Sequence, residues 1–163
     1  MTGNGTVERI FTAPEAEAEM CERSEVEAVE RGGLRGDRYC SENESGTFVR
    51  WGEGEARPDG YDLTLIEQEA IEAIERDVGI ELAPGEHRRN VETSGVALNH
   101  LVGERFRIGD AVCRGVRLCE PCDHLERLSR DGIEESLVHR GGLRADIIEG
   151  GTIASGDRIV APE

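Results

Sequence analysis

The chain has 163 residues, 37% of them hydrophobic and only 4% aromatic, so we expect one domain over residues 1–163 with an aliphatic core at residues 7–160. Its formal net charge of −16 excludes nucleic acid as a partner, because binding nucleic acid needs a basic surface. No apolar run approaches the roughly 20 residues of a membrane helix. Residues 1–5 lack the basic and apolar regions of a signal peptide, so we expect a cytoplasmic protein with no membrane contact.

The charged residues show a second bias, because all 19 basic residues are arginine and none is lysine. Salt screens the self-repulsion of so acidic a surface, and the composition therefore indicates a halophilic, haloarchaeal origin. The five cysteines are an odd number in a chain without an export signal. We expect reduced thiols rather than a disulfide framework.

The first third of the chain alternates short strands with polar loops. Residues 7–12 predict a strand, and residues 13–30 predict a glutamate-rich loop that ends in an alternating strand at 26–29. Residues 31–38 contain three glycines and three arginines, which predicts a shaped loop rather than a helix or strand. Residues 41–60 are polar and rich in glycine, and they predict an exposed excursion that serves as a mobile lid.

One helix is predicted from an amphipathic pattern in the middle of the chain. A strand at residues 62–66 leads into it, and Thr64 and Glu67 have the spacing of a capping box. Gly79 is expected to end the helix. The apolar face of this helix consists of Ala70, Ile71, Ile74 and Val78.

The second half of the chain is mostly strand. Residues 95–102 predict a helical turn, and strands at 104–108 and 111–118 form a hairpin through Gly109-Asp110. Short helices are expected after Pro121 and at residues 133–138, then a strand at 143–148 and a closing strand at 152–161. Many short strands with few short helices predict a mainly β, α+β fold, a closed or nearly closed barrel with helical decoration.

Cys119 and Cys122 end the apolar run of the predicted hairpin, with Pro121 fixing the backbone between them. The CxxC spacing permits a structural zinc site, with Cys113 and His124 as the further ligands. It also permits a redox pair, a thiolate that binds a soft metal or carries sulfur, or two inert buried side chains. The spacing alone leaves all four readings open.

Arginines accompany glycines in three segments that are locally poor in acid. Glycine lets backbone amides approach an oxyanion, and guanidinium recognises phosphate through two hydrogen bonds. Together the segments suggest an anion pocket, although each alone fits surface turns that pair with carboxylates. His139 suits a phosphate contact or a helix cap, while His87, His100 and His124 have no evident partners. The arginines are Arg35, Arg38, Arg88, Arg89, Arg140 and Arg144.

Seven short motifs are spread over nearly the whole chain. They are GLRGDR (33–38), LTLI (63–66), RRNV (88–91), GERFRIG (103–109), CEPC (119–122), HRGGLR (139–144) and GD (156–157). In this order they resemble one family, the MOSC domains, which are related to the C-terminal domain of molybdenum cofactor sulfurase. The resemblance implies a mixed, mainly antiparallel β-barrel with short helices.

The resemblance also implies a ligand, the molybdenum cofactor, which is a phosphorylated pterin dithiolene (molybdopterin). One cysteine of the family is taken to bind molybdenum or to carry sulfur, and here it is Cys119 or Cys122, with Cys122 preferred. A soft thiolate suits the metal, and arginines suit the phosphate. The implied cofactor-binding residues are Arg35, Gly36, Asp37, Arg38, Arg88, Arg89, Asn90, His139, Arg140 and Arg144.

Three functions follow as expectations. The first is a small molybdenum-dependent oxidoreductase that reduces N-hydroxylated or N-oxide compounds with an external electron donor. The second is sulfur transfer, in which the cysteine carries persulfide sulfur from a cysteine desulfurase partner. The third, outside the family, is a zinc-stabilised binding module. The pyridoxal phosphate of the family's larger members has no attachment point, because a Schiff base needs a lysine.

Overall fold

The structure, a computed structural model, describes residues 4–40 and 57–161, and the segment expected as a lid lies largely outside these residues. The elements in chain order are β1 Asn4–Thr12, β2 Cys21–Arg23, β3 Glu25–Val29, β4 Gly33–Leu34, β5 Leu63–Glu67, α1 Gln68–Val78, β6 Val91–Ser94, the 3-10 turn Leu98–Leu101, β7 Arg105–Ile108, β8 Ala111–Leu118, α2 Asp123–Leu128, α3 Ile133–Ser136, β9 Leu143–Glu149, β10 Gly151–Ala154 and β11 Arg158–Val160. The prediction of a mainly β, α+β fold with short helices is therefore confirmed.

Seven of the described strands close into a barrel, in the order β11-β7-β8-β9-β5-β6-β1, because β11 also pairs with β1. The β5–β6 pair is parallel and the other barrel pairings are antiparallel, so the sheet is mixed as expected. Strand β2 extends the sheet beyond β1, and β10, β3 and β4 form a separate three-stranded sheet. The expected hairpin at Gly109 is present, with Ile108 opposite Ala111.

The barrel interior is filled by aliphatic side chains, as the low aromatic content requires. Strand β7 alternates exposed and buried residues, which directs Phe106 and Ile108 into the core. Strand β5 is buried on both faces because α1 covers its outer side, where Ile66 and Ile74 belong to a second cluster with Leu125 of α2. This second cluster anchors α2 beside the barrel, next to the CxxC turn.

Three local predictions are wrong. The loop expected at residues 31–38 contains a short strand, β4, which pairs with β3. Thr64 does not cap α1, because the parallel pairing of β5 with β6 extends the strand to Glu67, which precedes the helix without a side-chain cap. The expected closing strand at residues 152–161 is two strands in different sheets, since the backbone turns at Gly156, whose φ is +91°. Asp157 Oδ2 holds this turn by accepting from the Ala154 N–H at 2.8 Å.

The amphipathic pattern of the helix is partly matched. Ala70 and Ile74 are buried, and Gly79 ends the helix with a left-handed φ of +78°. Val78 is 53% exposed because it occupies the last helical position. Among residues 4–40 and 57–161, no helix is both long and apolar enough to cross a membrane.

Candidate functional site

A cavity of about 250 Å³ lies where β8 leaves the barrel and the chain turns into α2. Both cysteines of the CxxC motif and four of the six predicted arginines reach it. Its lining consists of Arg38, Tyr39, Thr64, Arg88, Arg89, Cys119, Cys122, His124, Leu125, Leu128 and Arg144. The cavity therefore combines thiols and guanidinium groups, the two chemistries that the sequence suggested.

The two cysteines differ in exposure although they are three residues apart. Cys119 is buried, and its N–H donates to the Gly142 carbonyl at 2.7 Å, which continues the β8–β9 pairing by one residue. Cys122 is exposed and has an extended backbone immediately before α2. A thiol that binds a metal or exchanges sulfur must be accessible, so the exposure favours Cys122.

The guanidinium group of Arg89 holds the cysteine turn in place. Its Nη2 donates to the Cys119 carbonyl at 2.9 Å, and its Nε donates to the Gly141 carbonyl at 2.8 Å. A third, longer bond runs from Nη1 to the carbonyl of His87 at 3.5 Å. These acceptors are neutral, so Arg89 brings a positive charge to the cavity wall while it joins two loops.

The buried His87 side chain accepts a hydrogen bond from the Arg89 backbone and so orients it. The His87 Nδ1 accepts the Arg89 N–H at 2.8 Å, so the proton of the neutral ring lies on Nε2, which faces Glu92 Oε2 at 3.1 Å. Burial lowers the pKa of His87, although the neighbouring Glu92 carboxylate acts in the opposite direction. The sequence showed no partner for His87 because both contacts depend on the turn between α1 and β6.

Arg38 and Arg88 form a second cationic part of the wall. The Arg38 Nη2 donates to the Arg88 carbonyl at 3.4 Å, and Arg38 also pairs with the buried Asp37 at 3.2 Å. The Arg88 Nη1 donates to the Ala18 carbonyl at 2.8 Å. Burial and then the charge of Arg38 lower the pKa of Arg88, so an anion placed between these groups would be stabilised by both.

Arg144 lines another part of the cavity, and Tyr61 lies against it. Arg144 projects from β9, and its Cζ is 5.2 Å from the centre of the Tyr61 ring. Similarly, the Cζ of Arg38 is 4.7 Å from the centre of the Tyr39 ring. Both distances suit cation–π contact, which holds each guanidinium against the face of an aromatic ring.

Several of the predicted cofactor-binding residues do not line the cavity. Arg35 and Gly36 are exposed, and the buried Asp37 accepts the Ala13 N–H at 3.1 Å. Asn90 is buried and joins strands, since its Oδ1 accepts from the Thr64 N–H and its Nδ2 donates to the Phe11 carbonyl. These groups support the loops that carry Arg38 and Arg89.

The HRGG segment supports the cavity through its glycines. Arg140 Nε donates to the Ser136 carbonyl at 2.7 Å and so caps α3. The His139 side chain is largely exposed, with Nδ1 at 3.2 Å from Glu120 Oε2. Neither side chain is among the lining residues, whereas the carbonyls of Gly141 and Gly142 bind Arg89 and Cys119.

The zinc reading gains no support from the geometry. Among the described residues, no three histidine, cysteine, aspartate or glutamate side chains are grouped as a metal site. Cys113 is in the barrel core, where burial raises the pKa of its thiol. His124 lines the cavity, and its Nε2 is 3.9 Å from Glu17 Oε1.

Sequence reasoning missed Tyr39, Tyr61 and Thr64 as residues of this region. Tyr39 directly follows Arg38, and an aromatic residue beside arginines in a glycine-rich loop was the available signal. The spacing of Thr64 and Glu67 indicates a helix cap, whereas Thr64 lies in β5 at the cavity wall.

Comparison with known proteins gives a family match and structural neighbours. The sequence-family model of the MOSC domain matches residues 57–160 of this chain. The YuaD protein of Bacillus subtilis is similar with a TM-score of 0.78 and 16% identity, over 99% of this chain and 97% of that chain. YiiM of Geobacillus stearothermophilus is similar with a TM-score of 0.71 and 13% identity, over 98% of this chain and 75% of that chain. YiiM of Escherichia coli is similar with a TM-score of 0.61 and 18% identity, over 100% of this chain and 70% of that chain. No curated protein matches the chain.

Proposed function

Because the chain belongs to the MOSC domain family, which is associated with the molybdenum cofactor, we propose that its cavity binds that cofactor through the Cys122 thiolate and an arginine-lined wall. The observation that carries the proposal is the meeting of an accessible thiol with four arginines in one cavity of a chain with net charge −16. A cavity of this kind selects a ligand that is anionic at one end and thiophilic at the other.

The residues present suit the two ends of the cofactor. Arg38 and Arg88 would hold the phosphate, because the Arg88 guanidinium donates to a neutral carbonyl, is partly desolvated and lies close to the charge of Arg38. The Cys122 thiolate would bind molybdenum, since sulfur is the ligand that a soft metal centre prefers. A single protein thiolate is sufficient because the pterin supplies its own two sulfurs, so a cluster of protein ligands is not needed.

The reaction that we assign is reduction of an N-hydroxylated or N-oxide compound. Such a reduction consumes two electrons and two protons and releases the oxygen as water. The bound cofactor would supply the electron transfer and the oxygen acceptor, with electrons from an external donor protein. The chain itself would hold the phosphate, position Cys122 through Arg89, and present Leu125 and Leu128 as an apolar wall beside it.

Sulfur transfer is the second candidate, and the exposure of Cys122 favours it as well. An exposed cysteine beside guanidinium groups is suited to accept a persulfide from a cysteine desulfurase, because the anionic persulfide is stabilised by nearby positive charge. In that case the pyridoxal phosphate belongs to the partner, since this chain contains no lysine.

Metal analysis separates these functions. The protein is purified from a host that makes the cofactor, and molybdenum and zinc are measured for wild type, Cys122→Ser and Cys119→Ser. Stoichiometric molybdenum that is lost in Cys122→Ser and kept in Cys119→Ser supports cofactor binding. A persulfide adduct on Cys122 without molybdenum supports sulfur transfer, and bound zinc without molybdenum would contradict both.

A further inference from the structure

Arg117 and Arg144 lie side by side against one aromatic ring. They are register partners on the neighbouring strands β8 and β9. The Cζ of Arg117 is 5.6 Å from the centre of the Tyr61 ring, and that of Arg144 is 5.2 Å from the same point. Two like charges are thus brought together, an arrangement that is unfavourable between adjacent strands unless an anion offsets it.

The acceptors of these two arginines are neutral within the described part of the chain. Arg117 Nη1 donates to the Asp59 carbonyl at 3.0 Å, and Arg144 Nη1 donates to the Gly60 carbonyl at 3.5 Å. The nearby carboxylates have other cationic partners. Arg31 pairs with Asp59 at 3.0 Å and with Asp146 at 2.6 Å. The two guanidinium groups therefore keep their positive charge at the surface of an acidic protein.

The turn that carries Tyr61 is built to fit them. The Gly60 N–H donates to Asp146 Oδ1 at 2.7 Å. The φ of Gly60 is +90°, in the left-handed region. A Cβ on Gly60 would be 2.6 Å from Arg117 Nη1, so the guanidinium occupies the space that a side chain would fill. This close approach places Arg117 beside Arg144, which also lines the cavity.

We propose that Arg117, Arg144 and Tyr61 form an anion-binding subsite beside the cavity, which takes the carboxylate or phosphate group of a small organic substrate. Planar guanidinium groups recognise either anion through paired hydrogen bonds. The subsite is separate from Arg38 and Arg88, to which the cofactor phosphate is assigned. Naming the ligand as the substrate rests on the proposed function, whereas anion binding itself does not.

The test uses the full chain purified from a host that does not make the cofactor, at a constant potassium chloride concentration. Benzoate and inorganic phosphate are the probes, and arginine Nε–Hε signals in ¹⁵N-resolved spectra report binding site by site. We expect one or both probes to shift the Arg117 and Arg144 signals. A response to benzoate alone indicates a carboxylate ligand, and a response to phosphate alone indicates a phosphate ligand.

Three variants make the test specific. Arg117→Gln should weaken binding at this subsite about tenfold or more, since a charge-assisted contact is lost. Gly60→Ala should weaken it while keeping every charge, because the added Cβ displaces Arg117. Arg107→Gln removes the same charge from an exposed position of β7 and should leave the affinity within about twofold.

Unshifted Arg117 signals with both probes, or an equal loss of affinity in Arg107→Gln, would overturn the subsite. Shifts confined to Arg38 and Arg88 would also overturn it. Failure of the cofactor proposal is recognised separately, because it appears as absence of molybdenum in protein from a host that makes the cofactor, whatever the probes do in this apo protein.

Discussion

Arg89 Nη2 donates to the carbonyl oxygen of Cys119 at 2.9 Å, and through this bond a buried side chain holds the cysteine turn. The Nε of the same guanidinium donates to Gly141 at 2.8 Å, so the CEPC and HRGG motifs are joined across the cavity wall. The geometry of the thiols therefore depends on a residue that lies 30 positions before Cys119 in the chain.

Replacing Arg89 by glutamine should destabilise the protein by about 2–4 kcal/mol, because two buried carbonyls lose their donors. The free energy of unfolding is measured by urea denaturation. The control is Arg105→Gln, which removes an exposed arginine from β7 and should change this free energy by less than about 0.5 kcal/mol. Equal stabilities of the two variants would contradict the role given to Arg89.

The thiols should react at two distinct rates in the folded protein. Cys21 and Cys122 are exposed, whereas Cys40, Cys113 and Cys119 are buried. A thiol-reactive dye should therefore modify two cysteines rapidly and the others only as the protein unfolds. Cys122→Ser should remove one rapid equivalent and Cys119→Ser none. A rapid equivalent lost in Cys119→Ser instead would reverse the assignment of the functional thiol.

The local features of the fold were predictable because they depend on neighbouring residues. Gly109-Asp110 produces a hairpin, and Gly79 ends a helix, as their sequence context indicates. The cap at Thr64 was mispredicted because strand pairing with β6, at a distance in sequence, extends β5 past it. The break at Gly156 was missed because a side-chain acceptor, Asp157, completes that turn.

The candidate site was predictable in its chemistry but not in its membership. Alternation and turn geometry decide which arginine side chains face the cavity, and Arg38 and Arg144 do so while Arg35 and Arg140 do not. The acceptors of Arg89 are backbone carbonyls on distant loops. Every residue has a backbone carbonyl, so the sequence does not indicate which carbonyls accept these bonds. For this reason, the sequence predicts a cofactor contact for Arg89 but gives no indication of its structural role.

Gly142 should tolerate no side chain. Its φ is +113°, and a Cβ built there collides with the backbone carbonyl of Leu65 in the neighbouring strand. We expect Gly142→Ala to cost more than about 4 kcal/mol in the free energy of unfolding or to abolish folding. Gly79→Ala is the control, because its φ of +78° is also positive and no atom lies within 4 Å of the added Cβ.

The control variant should cost only about 1 kcal/mol, which is the conformational penalty of a left-handed alanine. Thermal and urea unfolding of both variants measure the difference. A Gly142→Ala protein within about 1 kcal/mol of wild type would show that β5 and β9 can move apart at this point, contrary to the close packing that we describe.

Burial of His87 should make stability fall on acidification. Its pKa is lowered in the folded protein, chiefly by burial. Below about pH 6.5, His87 therefore binds a proton in the unfolded chain but stays neutral in the folded chain. Stability is therefore lost as the pH falls from 6.5, by up to about 1.4 kcal/mol per pH unit. Glu92 favours the protonated ring, while Arg89 and Arg9 disfavour it.

His87→Asn keeps an acceptor for the Arg89 N–H but does not titrate. The unfolding free energy of this variant should depend less on pH between about 6.5 and 5 than that of wild type. The shifted carboxylates Asp62 and Glu86 are present in both proteins, so they cancel in the comparison. His100→Asn, at an exposed position, is the control. Identical pH slopes in wild type and His87→Asn would contradict the prediction.

We propose that the acidic, lysine-free surface is an adaptation to salt, and stability should respond accordingly. Raising potassium chloride from about 0.1 M to 1 M shortens the Debye length from about 10 Å to 3 Å, which screens repulsion among exposed carboxylates. The unfolding midpoint should rise over this range. The exposed residues Glu15, Glu19 and Glu22, changed together to glutamine, remove three negative charges and should reduce the response to salt. A midpoint that does not move with salt would contradict the adaptation.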